Sequence, residues 1–289
     1  MRRYSLVLFA AVMIHALAMV SAQTAIPTPT PASQLTPTPV EFFEVEVLNA
    51  YPHDTGAYTQ GLLLHDGTLY ESAGQTGESD LRQVDLESGD VLRQVELAPT
   101  DFAEGLALVD DRLIQITWQQ QIAFIYDRDT FEPLGTFSYT GEGWGLCYDG
   151  ELLWMSDGTE TLTARDPDTF EVVDELLITY EGYPLSQVVT QRDRPLSALN
   201  ELECVEGFIY ANVWFTDYIL RIDAASGQVT GIIGASNLLT VEEQAALTDS
   251  KAVLNGIAYN PETETFLLTG KYWPKLFEVQ FKSLAMPRG

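Results

Sequence analysis

The sequence is poor in the residues on which most hydrolytic and metal chemistry depends. Its 289 residues include three histidines and two cysteines. His15 lies in an N-terminal apolar stretch, and neither His53 nor His65 heads any of the repeating segments described below. A Ser-His-Asp relay or a histidine-ligated zinc is therefore disfavoured, and both remaining histidines are expected at the surface or in turns. Cys147 and Cys204 are too few for a disulfide scaffold or a thiolate metal site. A single disulfide fits an oxidising compartment, but the pattern around the two cysteines does not decide whether they face each other.

Positive charge is scarce as well, with 15 Lys and Arg against 42 Asp and Glu and a net charge of -27. Loss of Arg2 and Arg3 with a leader would make it -29. Such a chain repels nucleic acid, and no nucleic-acid partner is expected. Acidic residues crowd the turns and keep a protein soluble; their field also favours cationic ligands, including the N-terminal ammonium of a peptide.

Long apolar runs are missing beyond the N-terminal twenty residues. There, Arg2 and Arg3 precede an apolar run from Leu6 to Val20, followed by Ser21 and Ala22. This is the layout of a secretory signal peptide. Residues 1–22 are read as that signal, so a secreted or extracytoplasmic location (periplasm or cell envelope) is expected, with no integral membrane segment once it is removed. Residues 23–40 form a Pro/Thr-rich linker with no apolar face to bury. Residues 41–289 remain as one domain, long enough for a well-buried core.

What is present is repetition. Five segments stack on one another: Gln60-Gly61-Leu62, Glu104-Gly105-Leu106, Trp144-Gly145-Leu146, Asn200-Glu201-Leu202 and Asn255-Gly256-Ile257, each followed by a strand, a tight acidic or Gly turn, and a second strand. Further strand–turn–strand units follow the first four, as in LRQVDLESGDVLRQVEL and AFIYDRDTFEPLGTFSY. Two hairpins make a four-stranded sheet, and five such sheets at intervals of about 40 to 56 residues predict an all-β, five-bladed β-propeller. The last repeat lacks a second hairpin, whereas EFFEVEVLNA (41–50) is a strand without one. The N-terminal strand is therefore expected to complete the last blade and remove a free edge. Two segments interrupt the pattern: a loop at 181–198, and 238–252, read as a helix with Thr240 as N-cap and Glu243 closing a capping box.

The first residue of each repeat should begin an innermost strand at the mouth of the central channel. The set Gln60, Glu104, Trp144, Asn200 and Asn255 contains one carboxylate, three amides and an indole, which suits positioning a polar ligand. A glycosidase needs two carboxylates flanking a sugar, and the ring offers only Glu104. Trp118, Trp144, Trp214 and Trp273 recur near the same ends of the strands, with Tyr58 and Phe102 two residues ahead of Gln60 and Glu104.

Together, Tyr58-Thr-Gln-Gly-Leu62, Phe102-Ala-Glu-Gly-Leu106, Gly143-Trp-Gly-Leu146, Met155-Ser-Asp-Gly-Thr159, Leu199-Asn-Glu-Leu-Glu203, Tyr210-Ala-Asn-Val-Trp214, Leu254-Asn-Gly-Ile-Ala258 and Thr269-Gly-Lys-Tyr-Trp-Pro274 resemble the plant and bacterial type of glutaminyl cyclase. The resemblance runs from about residue 45 to 280. It implies a five-bladed propeller, unrelated in fold to the zinc-dependent animal cyclases, that turns N-terminal glutamine into pyroglutamate. It implies Glu104 as the catalytic acid/base, with Gln60, Asn200 and Lys271 contacting polar groups of the substrate. Tyr58, Phe102, Trp118, Trp144 and Trp214 would wall the pocket. Tyr58 stands where the family pattern suggests phenylalanine, and the loop before Leu199 is a second departure. The expected partner is a peptide or protein with N-terminal glutamine, acted on by a monomer with no required cofactor and room for a structural calcium. The competing readings are a non-catalytic extracytoplasmic propeller that binds proteins or ligands and, on the strength of the acidic turns, a calcium-dependent lactonase.

Overall fold

Twenty-two strands account for nearly all of the regular structure in the computed structural model, which describes residues 39–189 and 195–284. The expected signal peptide (1–22) and residues 23–38 of the linker lie outside the described residues. In chain order the strands are β1 (Glu41–Pro52), β2 (Thr59–His65), β3 (Thr68–Ala73), β4 (Asp80–Val84), β5 (Val91–Glu96), β6 (Ala103–Val109), β7 (Arg112–Thr117), β8 (Ile122–Asp127), β9 (Pro133–Ser138), β10 (Leu146–Tyr148), β11 (Leu153–Met155), β12 (Thr161–Arg165) and β13 (Val172–Leu177). There follow β14 (Thr179–Tyr180), β15 (Tyr183–Pro184), β16 (Leu199–Val205), β17 (Phe208–Val213), β18 (Tyr218–Asp223), β19 (Val229–Gly234), β20 (Leu254–Asn260), β21 (Thr265–Gly270) and β22 (Lys275–Ser283).

β2–β5, β6–β9 and β10–β13 are three separate four-stranded antiparallel meanders. The remaining large sheet runs β16-β17-β18-β19-β1-β22-β21-β20, which is two four-stranded groups joined where β1 lies parallel to β19. β1 pairs antiparallel with β22 from Phe43–Ser283 to Pro52–Lys275, so the N-terminal strand is the outermost strand of the last blade, as the sequence predicts. The outer strands β5, β9 and β13 are largely exposed, whereas β19 is largely buried because β1 covers its edge.

Apolar side chains explain why the sheets form a ring. Among the described residues there are five buried clusters, and each spans two neighbouring four-stranded groups, counted below as sheets one to five. Tyr70 and Leu81 of the first sheet meet Leu106 and Leu113 of the second; Leu62 and Leu69 of the first also meet Leu267 and Leu276 of the last. No blade buries its face alone, and each large side chain so buried stabilises by about 1.5–3 kcal/mol relative to exposure. Cys147 of β10 and Cys204 of β16 form a disulfide that links the third and fourth sheets, settling the open question of their pairing.

The Gly of the repeat has a packing cause. A Cβ on Gly61 would lie 2.6 Å from Leu106 N, one on Gly105 2.4 Å from Leu146 N, and one on Gly145 2.1 Å from Asn200 O. Each inner strand thus abuts the backbone of the next blade too closely for any side chain. In the fourth repeat Glu201 replaces the glycine; its carboxylate accepts from Ile257 N at 2.8 Å and Leu62 N at 3.3 Å, tying three blades together.

Both interruptions differ from their simplest readings. Of 238–252 only Val241–Ala246 is helical (α1), with the expected capping box between Thr240 and Glu243; the chain turns extended at Leu247. The 181–198 segment supplies the turn and second strand of the small β14–β15 hairpin and buries Leu185 and Leu196 in the cluster between the third and fourth sheets.

Candidate active site

The inner hairpins of four sheets carry a register shift where the repeat begins: Thr59/Gly61, Ala103/Leu106, Leu199/Leu202 and Leu254/Ile257. An extra residue of this kind re-aims a side chain out of the strand alternation. It turns Gln60, Glu104 and Asn200 toward one pocket of about 450 Å³, mouth included. Its wall consists of Tyr58, Gln60, Phe102, Glu104, Trp118, Trp144, Asn200, Trp214, Lys251 and Lys271. All nine residues expected from the sequence are therefore brought together.

Asn255, the fifth repeat head, does not join the wall. It is buried, and its Nδ2 donates to Thr59 O at 2.9 Å and to Gln60 Oε1 at 3.3 Å. With its oxygen occupied, the Gln60 amide presents Nε2 to Glu104 Oε1 at 2.8 Å. A line of hydrogen bonds through the fifth, first and second sheets thus fixes the carboxyl group. The other oxygen, Glu104 Oε2, is buried without a partner, as are Asn200 Oδ1 and Trp214 Nε1. Unpaired buried polar atoms are costly and rare in folded proteins. Here three of them share one pocket and together offer a carboxyl group, an acceptor and a donor.

Burial pushes the Glu104 carboxyl well above the usual carboxylate range, with Glu142 adding to the rise and Lys271 opposing it. Burial likewise lowers the Lys271 ammonium to about 8, against the pull of Glu104 and with a push from Lys251. The Lys271 Nζ lies 4.5 Å from the centre of the Tyr58 ring, whose π face is its counterpart. Tyr58 is itself held by edge contacts with Phe102 and Tyr272. The site thus holds a dry acid raised, and a dry cation lowered, by burial.

Several features were missed by reading the sequence. His53 was expected at the surface or in a turn but is buried: Nδ1 lies 2.7 Å from Trp273 O and Nε2 3.1 Å from Glu71 Oε1, which also accepts from Thr59 Oγ1 at 2.7 Å. It stands behind the wall and braces the turn that carries Lys271. His65 is partly exposed beside Arg128 and Asp66, as expected. Lys251, just after α1, and Glu142, between two glycines at the rim, both belong to the site's surroundings and carry no repeat signal. Among the described residues of 181–198, none lines the pocket. No group of three or more His, Cys, Asp or Glu side chains among the described residues is placed to hold a metal ion. No described helix is long and apolar enough to cross a membrane.

Comparison with known proteins bears on this geometry. The model of the Glutamine cyclotransferase family matches residues 11–281. The chain belongs to that family. It is 38% identical over 251 residues to an Arabidopsis thaliana protein named glutaminyl-peptide cyclotransferase, covering 85% of this chain and 74% of that one. The crystal structure of Myxococcus xanthus glutaminyl cyclase superposes with a TM-score of 0.76 at 39% identity, covering 86% of this chain and all of the other. The family's enzymes are transferases, and the propeller expected from the repeats is the architecture found.

Proposed function

We propose that this chain cyclises the N-terminal glutamine of a peptide or protein to pyroglutamate, releasing ammonia, with Glu104 as its single acid/base group. The observation that carries the reading is Glu104 itself, with one oxygen fixed by Gln60 and the other free of partners against a wall of aromatic rings. In this reaction the substrate's α-amine attacks its own γ-carboxamide carbon, so the nucleophile is tethered and the pocket has to hold a bent conformer. Glu104 in its carboxylate form takes a proton from the α-ammonium, and the freed amine forms the new C–N bond. The protonated Glu104 then gives that proton to the departing amide nitrogen as the old C–N bond breaks and ammonia leaves. The second proton of the ring nitrogen passes to the carboxylate and from there to solvent, restoring the site.

The Lys271 cation, with the Asn200 amide, is set to balance the negative charge that develops on the carboxamide oxygen. The indoles exclude water, which strengthens both effects. The leader-like residues 1–22 support an extracytoplasmic place of action. Incubation with a Gln-initiated peptide should release ammonia, and the same peptide with an acetylated amine should release none. Ammonia from both, or from neither, would overturn the reading in favour of a different chemistry or of a non-catalytic binding propeller.

A further inference from the structure

We infer that Glu142 is the positioning residue that holds the two indoles on either side of the pocket, Trp118 and Trp144, in their working orientation. The inference rests on the cyclisation reading above. Trp118 Nε1 donates to Glu142 Oε2 at 2.7 Å, and Trp144 Nε1 donates to the same oxygen at 3.0 Å. The second oxygen, Oε1, accepts from Gln119 Nε2 at 2.8 Å. Trp118 follows β7 and Trp144 precedes β10, so a single carboxylate spans the junction between the second and third blades.

The arrangement of the aromatic wall explains why this matters. Ring contacts make two arcs: Tyr272–Tyr58–Phe102–Trp118 on one side and Trp144–Trp214–Phe215 on the other. Between Trp118 and Trp144 the connection runs through Glu142. Trp118 remains 36% exposed, so packing alone leaves its ring room to turn. Hydrogen bonds to an ionised acceptor are about twice as strong as neutral ones, and here they supply the missing constraint. Local backbone geometry delivers the carboxylate: a Cβ on Gly143 would lie 2.5 Å from Tyr139 Oη and 2.8 Å from Thr117 O, so the chain can press against the end of β7 only with glycine there.

The charge has a second effect. Partial burial pushes the Glu142 carboxyl up, but its three N–H donors outweigh this and leave it below the ordinary carboxylate range. It therefore stays ionised at the rim, and its negative charge contributes to the elevation of Glu104. Glu142 thus acts on the reaction through other groups, by fixing two walls and by biasing the acid between them.

The test compares E142A with E142Q, which loses the charge but keeps an acceptor oxygen. E142A should raise KM roughly tenfold with a smaller change in kcat, because a loosened wall weakens binding of the bent conformer. E142Q should recover most of that loss. Both variants should move the acid limb of the kcat/KM profile to lower pH, since both remove the charge that raises Glu104. The near-UV circular dichroism of the indoles should weaken in E142A and persist in E142Q. Wild-type KM, acid limb and dichroism in E142A would overturn the inference, as would an E142Q as impaired in KM as E142A. A wild type that releases no ammonia would instead sink the cyclisation reading, while the dichroism of the two variants would still decide whether Glu142 fixes the rings.

Discussion

The same kind of side chain has opposite fates at the rim of the blades and at the channel mouth. Between the third and fourth strands of four blades, an aspartate accepts from the backbone N–H three residues later: Asp85 from Ser88, Asp127 from Thr130, Asp166 from Thr169 and Asp223 from Ser226, each at 2.8 Å. Hydrogen bonds hold Asp127, Asp85 and Asp166 below the ordinary aspartate range: the Thr130 hydroxyl and then its N–H for Asp127, the N–H and then the hydroxyl of Ser88 and Thr169 for the other two. At the mouth, Glu104 has one partner 44 residues away, one oxygen with none, and a carboxyl pushed upward by burial. The rim aspartates are hydrogen-bonded where they stand and build turns. Glu104 is left incompletely paired, as the proposed acid/base role requires.

Substitutions at the two places should differ in size and in sign. The largest effect is expected from Glu104→Gln, which should lower kcat by about 10²–10⁴ in an ammonia-release assay while leaving a folded protein. Loss of the fold together with activity would assign Glu104 a structural role and break the contrast. Lys271→Met should cost about 10²–10³ in kcat, the order found when a single oxyanion donor is removed. In the wild type, turnover should fall as the pH rises through about 8, where Lys271 loses its charge, and the residual activity of the variant should lack that dependence. A basic limb unchanged by the substitution would argue against an electrostatic role for this lysine.

Effects on stability come next. Replacing Cys147 and Cys204 with serine opens a cross-link between residues 57 apart, and it should lower stability by about 2–4 kcal/mol, measured by thermal unfolding. The smallest change is expected at the rim, where Asp166→Asn should shift Tm by little more than the error of the measurement. The pH dependences should have opposite signs. A lowered aspartate contributes stability that is present above the unfolded value of about 3.9 and lost as the pH falls through the folded one. For Glu104, raised in the fold, the contribution is present below about 4.3 and lost as the pH rises through the folded value. Urea unfolding of wild type, Asp166→Asn and Glu104→Gln across that range would separate the two, and slopes of the same sign would refute the assignment.

This contrast also explains what could be read from the sequence. The rim turns are local, so motifs such as Asp127-Arg-Asp-Thr130 and Asp166-Pro-Asp-Thr169 announce themselves. The bends at Gly89 and Gly227 have positive φ at no steric cost, while Phe131 and Phe170 adopt the same φ and bury their rings in the clusters between blades. The repeat heads were legible because they recur, and they led to Gln60, Glu104, Trp144 and Asn200. Asn255 recurs as well, yet only the fold shows that it serves Gln60 and not the pocket. His53, Lys251 and Glu142 occur once each. His53 meets Trp273, 220 residues away, and Glu142 joins Trp118, 24 residues back, to Trp144, so only the fold shows what these residues hold together.

The pairing of β1 with β22 has a consequence for how the molecule is made. During synthesis the first strand emerges more than two hundred residues before its antiparallel partner, so the circle stays open until β22 has been made. Chains cut short before Lys275 would keep two unsatisfied sheet margins, the free edges of β1 and β21, and be prone to clump.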